Sequence, residues 1–169
     1  MVAVPNPIPG VIITDLIPHT DDRGTFMETW RQEWIGSYAP QMVQSNRSEK
    51  TAGSLVGLHY HRHQADYWHV IRGIARVVLH DLRVANGATM TIDLTETSGQ
   101  GVYIPPGVAH GFSALSDVVL TYLVDHYYDP NDELGLAWDD PDLAIDWGIT
   151  DPVVSDRDKN NPRRKEIVW

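Results

Sequence analysis

The chain has 169 residues, a formal net charge of −10 from 13 Lys and Arg against 23 Asp and Glu, and no cysteine. Its length suits one domain that buries its own core. The absence of thiols excludes disulfides, thiolate nucleophiles and zinc–thiolate sites, and the negative charge argues against nucleic acid as a partner. The opening MVAVPNPIPG has neither a basic start nor an apolar run, and no stretch approaches the roughly 18 apolar residues of a membrane helix, so no secretion signal or membrane partner is expected and a cytoplasmic location is. Six Trp and seven Tyr against two Phe favour aromatics with polar handles, which suit pockets and interfaces.

In chain order, Pro5, Pro7, Pro9 and Gly10 make residues 1–10 an irregular arm, and VIITDLI at 11–17 reads as an edge strand. Asp21, Asp22 and Gly24 predict a turn, after which alternation resumes over 25–30. TWRQEWIGSYA at 29–39 is the best helix candidate, closed by Gly36 and Pro40. MVQSNRSEK at 42–50 starts as a strand and then turns polar, with a loop over 51–54. Strands follow at 55–61, 67–71, 74–82, 88–94, 101–104, 110–114 and 118–127, rich in Val, Ile, Tyr and Thr and parted by turn residues. Asn86-Gly87 marks a hairpin turn. After Asp129 the chain becomes loop-like, with the acidic run DDPD at 139–142, and a tail over about 150–169 wraps the surface. Many short strands at close spacing predict an all-β sandwich or barrel over 1–169, with only short peripheral helices.

GLHYHRHQADYWHVIRG at 57–73 carries four of the eight histidines. On a strand, His59 and His61 fall on one face and can converge on a point. The spacing H-x-H-x4-D-x6-G runs through Asp66 to Gly73, and a second run, GQGVYIPPGVAHGF, has G-x5-P-x-G-x2-H ending on His110. Together they resemble the two motifs of the cupin superfamily, small antiparallel jelly-roll barrels. The resemblance implies that His59, His61, Asp66 and His110 ligate one metal. Asp66 stands where that motif usually has Glu, and Ala114 where the second usually ends in Asn.

A closer resemblance spans about 11–162. DDRGTFMETW, MVQSNRS, GLHYH, IPPGVAHGF, TYLVDHYYDPNDE, LAWDDPDLAIDW and VVSDRDKNNP, in that order, are similar to the landmarks of the dTDP-4-dehydrorhamnose 3,5-epimerase family. That family removes and returns protons beside the carbonyl of a 4-keto sugar and requires no cofactor. The resemblance implies His59 as base, Asp158 as the residue orienting it and Tyr122 as acid. A carboxylate strengthens an imidazole base, and a phenol donates a proton without carrying charge into an apolar barrel. It further implies Arg23, Phe26, Glu28, Gln44, Asn46 and Tyr127 as contacts to a dTDP-sugar, and a homodimer that exchanges N-terminal strands. Arg23 suits phosphate, although an ion pair with Asp21 or Asp22 competes for it.

Three positions depart from the family pattern. Val56 replaces an Arg, Asp66 replaces a Lys that helps to hold the enolate oxygen, and His61 replaces a Gln. An anion beside a developing enolate raises the barrier, whereas a divalent metal (Fe, Mn, Ni, Co or Zn) on the cupin set would restore positive charge. His59 cannot be ligand and base through one nitrogen, so with a metal on it the base would be an activated water, Tyr122, His69 or His63. Three readings therefore stand: an epimerase of a nucleotide-linked 4-keto-6-deoxy sugar, a metal-dependent cupin isomerase, dehydratase or dioxygenase, and a non-catalytic sugar-binding cupin.

Overall fold

The computed structural model describes residues 6–36 and 40–169. Of the expected N-terminal arm, residues 1–5 lie outside the described residues, while the rest is pinned. Asn6 accepts from Ile8 N–H at 2.9 Å and donates to Val11 O at 2.8 Å, and Ile8 is fully buried. The strand expected over 11–17 is shorter: β1 covers Ile12–Asp15. β2 (Pro18–Asp21) and β3 (Gly24–Met27) form a hairpin joined to neither main sheet. The expected helix reduces to a 3-10 turn over Gln32–Ile35, in which only Ile35 is buried and Arg31 supplies no side-chain cap; residues 37–39 lie outside the described residues. A four-residue turn with one apolar contact cannot repay helix nucleation.

β4 (Gln44–Lys50) runs straight through the polar stretch. There follow β5 (Ser54–Tyr60), β6 (Asp66–Arg72), β7 (Ile74–Asp81), β8 (Thr89–Thr95), β9 (Gln100–Ile104), β10 (Val108–Ala114) and β11 (Val118–Val124). The chain ends with β12 (Leu134–Gly135), β13 (Val153–Val154) and the one-turn helix α1 (Asp156–Lys159). Five strands in the order β1-β9-β6-β11-β4 make one sheet. The other has the order β12-β5-β10-β7-β8, with β13 parallel to β5 and every other pairing antiparallel. The expected all-β jelly roll is thus built as two facing sheets, and no pairing among the described residues joins them edge to edge.

Three apolar layers hold the sheets. Trp68, Val70 and Leu120 of the first sheet meet Val77, Leu79 and Phe112 of the second between them. The outer face of the second sheet, through Leu55, Leu58 and Val78, is covered by Leu136, Trp147, Val154 and Ile167, so the polar tail is also a second core wall. Tyr67 and Tyr103 on the outside of the first sheet pack under Ile35 and Trp30. Burial on both faces explains why β7 reads as a nearly unbroken apolar run. β4 fails to look like a strand because its half-buried face carries Gln44, Asn46 and Ser48 instead of aliphatics. No helix of the described residues is long and apolar enough to cross a membrane.

One contact aligns the two sequence motifs. Gly57 has φ +116°, and a Cβ there would lie 2.8 Å from Gly111 Cα; a Cβ on Gly111 would lie 2.5 Å from Val56 O. Only paired glycines let β5 and β10 approach this closely, and the register then sets His59 opposite His110. Gly111→Ala should therefore cost about 1–3 kcal/mol in chemical denaturation. An unchanged midpoint would show that the strands tolerate a wider gap.

Candidate active site

A cavity of about 100 Å³ opens between the sheets. Its walls are Ser48 from β4, Val56 and His59 from β5, Asp66 and Trp68 from β6, His110 and Phe112 from β10, and Leu120 and Tyr122 from β11, with His61, Gln64 and Glu133 from the connections. Both histidines of the first motif point inward with the later histidine and Tyr122.

His59 Nε2 lies 2.7 Å from Asp158 Oδ1, which leaves Nδ1 facing Glu133 Oε1 at 3.6 Å. Asp158 belongs to α1, whose N-cap Ser155 accepts the Asp158 N–H at 3.1 Å, and the second carboxyl oxygen accepts the Gly57 N–H at 3.2 Å. Although it lies in the polar tail, Asp158 is 3% exposed. Burial by itself would raise the Asp158 pKa, but the bond and charge of His59, the Gly57 N–H and the Ser155 side chain outweigh it and hold the carboxyl below its ordinary value.

Tyr122 stands on the opposite sheet, between Asn46 and Trp68 in register. Burial, then the negative charges of Asp66 and Glu133, push its phenol above its ordinary range, so it stays protonated at neutral pH. His69 and His63 are not placed to replace His59 as base: His69 lines a separate pocket on the other face of β6, and His63 is exposed.

Of the four expected metal ligands, three converge. Donor atoms of His61, Asp66 and His110 all lie within 4.8 Å of one another, and all three residues are buried. His59 is outside this group, and its Nε2 is held by Asp158. His61 Nδ1 bonds Asp132 O at 2.7 Å and His110 Nδ1 bonds Val108 O at 2.9 Å. A carbonyl only accepts, so each Nδ1 carries a proton, and in the neutral ring Nε2 then offers a lone pair. Burial holds His110 well below the usual imidazole range, against the upward pull of Asp66. Asp132 also accepts N–H groups of Arg62, His63 and Gln64 at 2.6, 3.1 and 3.2 Å, which fixes the loop that aims His61.

The expected nucleotide contacts are scattered in the single chain. Arg23 pairs with Asp21 at 2.6 Å, the competing ion pair foreseen for it, and Glu28 pairs with Arg31 at 2.6 Å. Phe26 is 66% exposed. Gln44 donates to Asn46 Oδ1 at 2.8 Å on the half-buried face of β4, beside Ser48 but not in the cavity wall. Tyr127 lies beyond β11 and is 74% exposed. Glu133, Asp132, Ser48, Gln64 and Trp68 carried no spacing signal; Glu133 reaches the cavity because β12, beginning at the next residue, pairs with the His59 end of β5.

The family profile described as dTDP-4-dehydrorhamnose 3,5-epimerase matches residues 5–166. The chain belongs to this family of carbohydrate epimerases. It is 36% identical over 172 residues to dTDP-4-dehydrorhamnose 3,5-epimerase of Methanothermobacter thermautotrophicus, covering 95% of this chain and 93% of that protein. Among solved structures it is similar to NovW, a 4-keto-6-deoxy sugar epimerase from the novobiocin gene cluster of Streptomyces spheroides, with TM-score 0.91, 31% identity and 97% and 87% of the two chains covered. It is also similar to RmlC of Legionella pneumophila in complex with dTDP-4-keto-L-rhamnose, with TM-score 0.89, 29% identity and 98% and 94% covered. Val56, His61 and Asp66 all fall on the cavity wall itself.

The His59–Asp158 pair has a pH signature. A carboxyl whose folded pKa lies below its ordinary 3.8 contributes stability that is complete above that value and is lost as the pH falls through the folded pKa. Near neutral pH, urea denaturation should find Asp158→Asn less stable than the parent by about 1–3 kcal/mol. The gap should close in acid; a gap that widens there would contradict the pairing.

Proposed function

We propose that this chain epimerises a dTDP-linked 4-keto-6-deoxy sugar next to its carbonyl. The observation that carries the reading is that His59, backed by Asp158, and Tyr122 sit on opposite sheets and face one cavity. Removal of a C–H proton by His59 Nδ1 leaves the electron pair delocalised onto the carbonyl oxygen as an enolate. Asp158 fixes the ring through Nε2 and stabilises the imidazolium that forms. Return of a proton from the Tyr122 hydroxyl on the other face regenerates the carbonyl with the carbon inverted. Phe112, Leu120 and Trp68 keep the remaining wall apolar and limit competing water. The reading requires no organic cofactor, and it places the chain in the cytoplasm, where nucleotide-linked sugars are made.

The nucleotide end of the substrate calls for a second copy of the chain. A two-stranded ribbon is marginal alone in water, yet β2 and β3 pair only with each other and expose Phe26. In a homodimer this hairpin reaches the partner's cavity mouth, bringing Arg23, Phe26 and Glu28 to the nucleotide beside Gln44, Asn46 and Tyr127. Light scattering should then give about twice the 19.0 kDa chain mass, and a monomer would remove this part of the reading.

The chemistry is tested by solvent deuterium entering dTDP-4-keto-6-deoxyglucose. The folded parent should incorporate it at C3, C5 or both. His59→Ala should lose about 10²–10⁴-fold in exchange, and Tyr122→Phe should retain exchange better than it retains inversion. Nucleotide binding without any exchange would favour a sugar-binding cupin instead.

A further inference from the structure

The cavity has an acid where the reaction calls for a positive charge. No Lys or Arg is among its lining residues. Asp66 is 3% exposed, and its hydrogen-bond donors are neutral: Gln64 Nε2 at 2.8 Å on one oxygen and Trp68 Nε1 at 3.0 Å on the other. A buried carboxylate without a cationic partner is costly to desolvate. Folds retain such groups when something positive completes them.

The surroundings indicate what that is. His61 Nε2 lies 3.9 Å from Asp66 Oδ1 and His110 Nε2 lies 3.9 Å from Asp66 Oδ2. These separations are too long for hydrogen bonds, which end near about 3.2 Å. Two donors each about 2.1 Å from one ion stand about 3.4 Å apart in a tetrahedral site, so donors 3.9 Å apart need close by only about half an ångström to share one ion. Both imidazoles present a lone pair to this space while Nδ1–H is held by a backbone carbonyl, the outer-shell arrangement that orients metal-binding histidines. Gln64 donates to His61 Nε2 at 3.2 Å and to Asp66, so one amide bridges two of the three donors and would turn aside on binding. The donor set, two nitrogens and a carboxylate, suits Fe, Mn, Co, Ni or Zn better than Mg or Ca, which favour oxygen alone.

We propose that His61, Asp66 and His110 bind one divalent transition-metal cation, and that His59 is not among its ligands. The departures from the family pattern then form one exchange: Asp66 replaces the lysine and His61 the glutamine, so that positive charge returns as a bound ion. Such an ion would act as a Lewis acid toward the oxygen on which enolate charge develops. That last assignment rests on the epimerase reading; the binding of the cation does not. His59 keeps its Nδ1 for the proton, which removes the conflict that a four-ligand set would create.

The test is a titration of the full chain, stripped with chelator, with Co²⁺ alone. The expected result is one equivalent per chain, visible d–d absorption shifted from that of aqueous cobalt, and a raised Tm. His61→Gln, Asp66→Asn and His110→Gln should each weaken binding by more than about 10-fold, while His59→Gln retains it. Circular dichroism separates loss of binding from loss of fold. A folded parent chain that shows neither band nor Tm change at about 1 mM cobalt overturns the site, and loss of binding in His59→Gln overturns the three-ligand assignment. Deuterium exchange is read separately on stripped and loaded protein. Cobalt binding without exchange sinks the epimerase reading alone, and exchange without cobalt binding sinks the metal site alone.

Discussion

The close approach of β5 to β10 is the constraint on which the site depends. With glycine at 57 and 111, the backbones come near enough that neither position has room for a methyl group, and His59 is set across from His110. The same strand edge collects the rest of the machinery. β13 pairs with the start of β5 and delivers α1 with Asp158, and β12 pairs with its end and delivers Glu133. A second link joins the motif loops, where Gly107 N–H donates to His61 O at 2.9 Å. One strand thus receives segments from about 50 and 100 residues further along the chain through ordinary ladder pairing.

Division of labour between the sheets follows from this arrangement. The second sheet, through β5 and β10, carries His59 and His110; the first, through β6 and β11, carries Asp66 and Tyr122. An inversion at carbon needs groups on two faces of a flat intermediate, and a sandwich supplies two faces without any special loop. Electrostatics divide the cavity in another direction. The Asp158 carboxylate holds His59 from behind, whereas Asp66 lies inside the cavity, 3.9 Å from Nε2 of His61 and of His110.

Much of this was legible in the sequence, and the reasons for the remainder are physical. Histidine spacing in 57–61 and the PPGVAH turn located the cavity because period-two alternation and glycine turns act locally. β4 was half missed because a strand lining a polar cavity lacks the aliphatic alternation of one lining a core. The 29–39 helix was overread: Trp30 and Ile35 pack over Tyr67, which requires one turn and no more. Nothing local in the sequence marks Asp158, whose partner is 99 residues away, and Asp132 and Glu133 gave no local sign for the same reason. Spacing reports which face His59 occupies but not that a carboxylate already holds its Nε2, nor that only His61, Asp66 and His110 bring donor atoms within 4.8 Å of one another.

The central claim is geometric, that base and acid address one ring carbon from two sides. A crystal structure with a bound dTDP-4-keto sugar or unreactive analogue tests it most directly. The account predicts a ring carbon adjacent to the carbonyl lying between His59 Nδ1 and the Tyr122 hydroxyl, each within about 3–3.5 Å. A sugar seated outside the cavity, or one that meets both side chains on the same face, would contradict it.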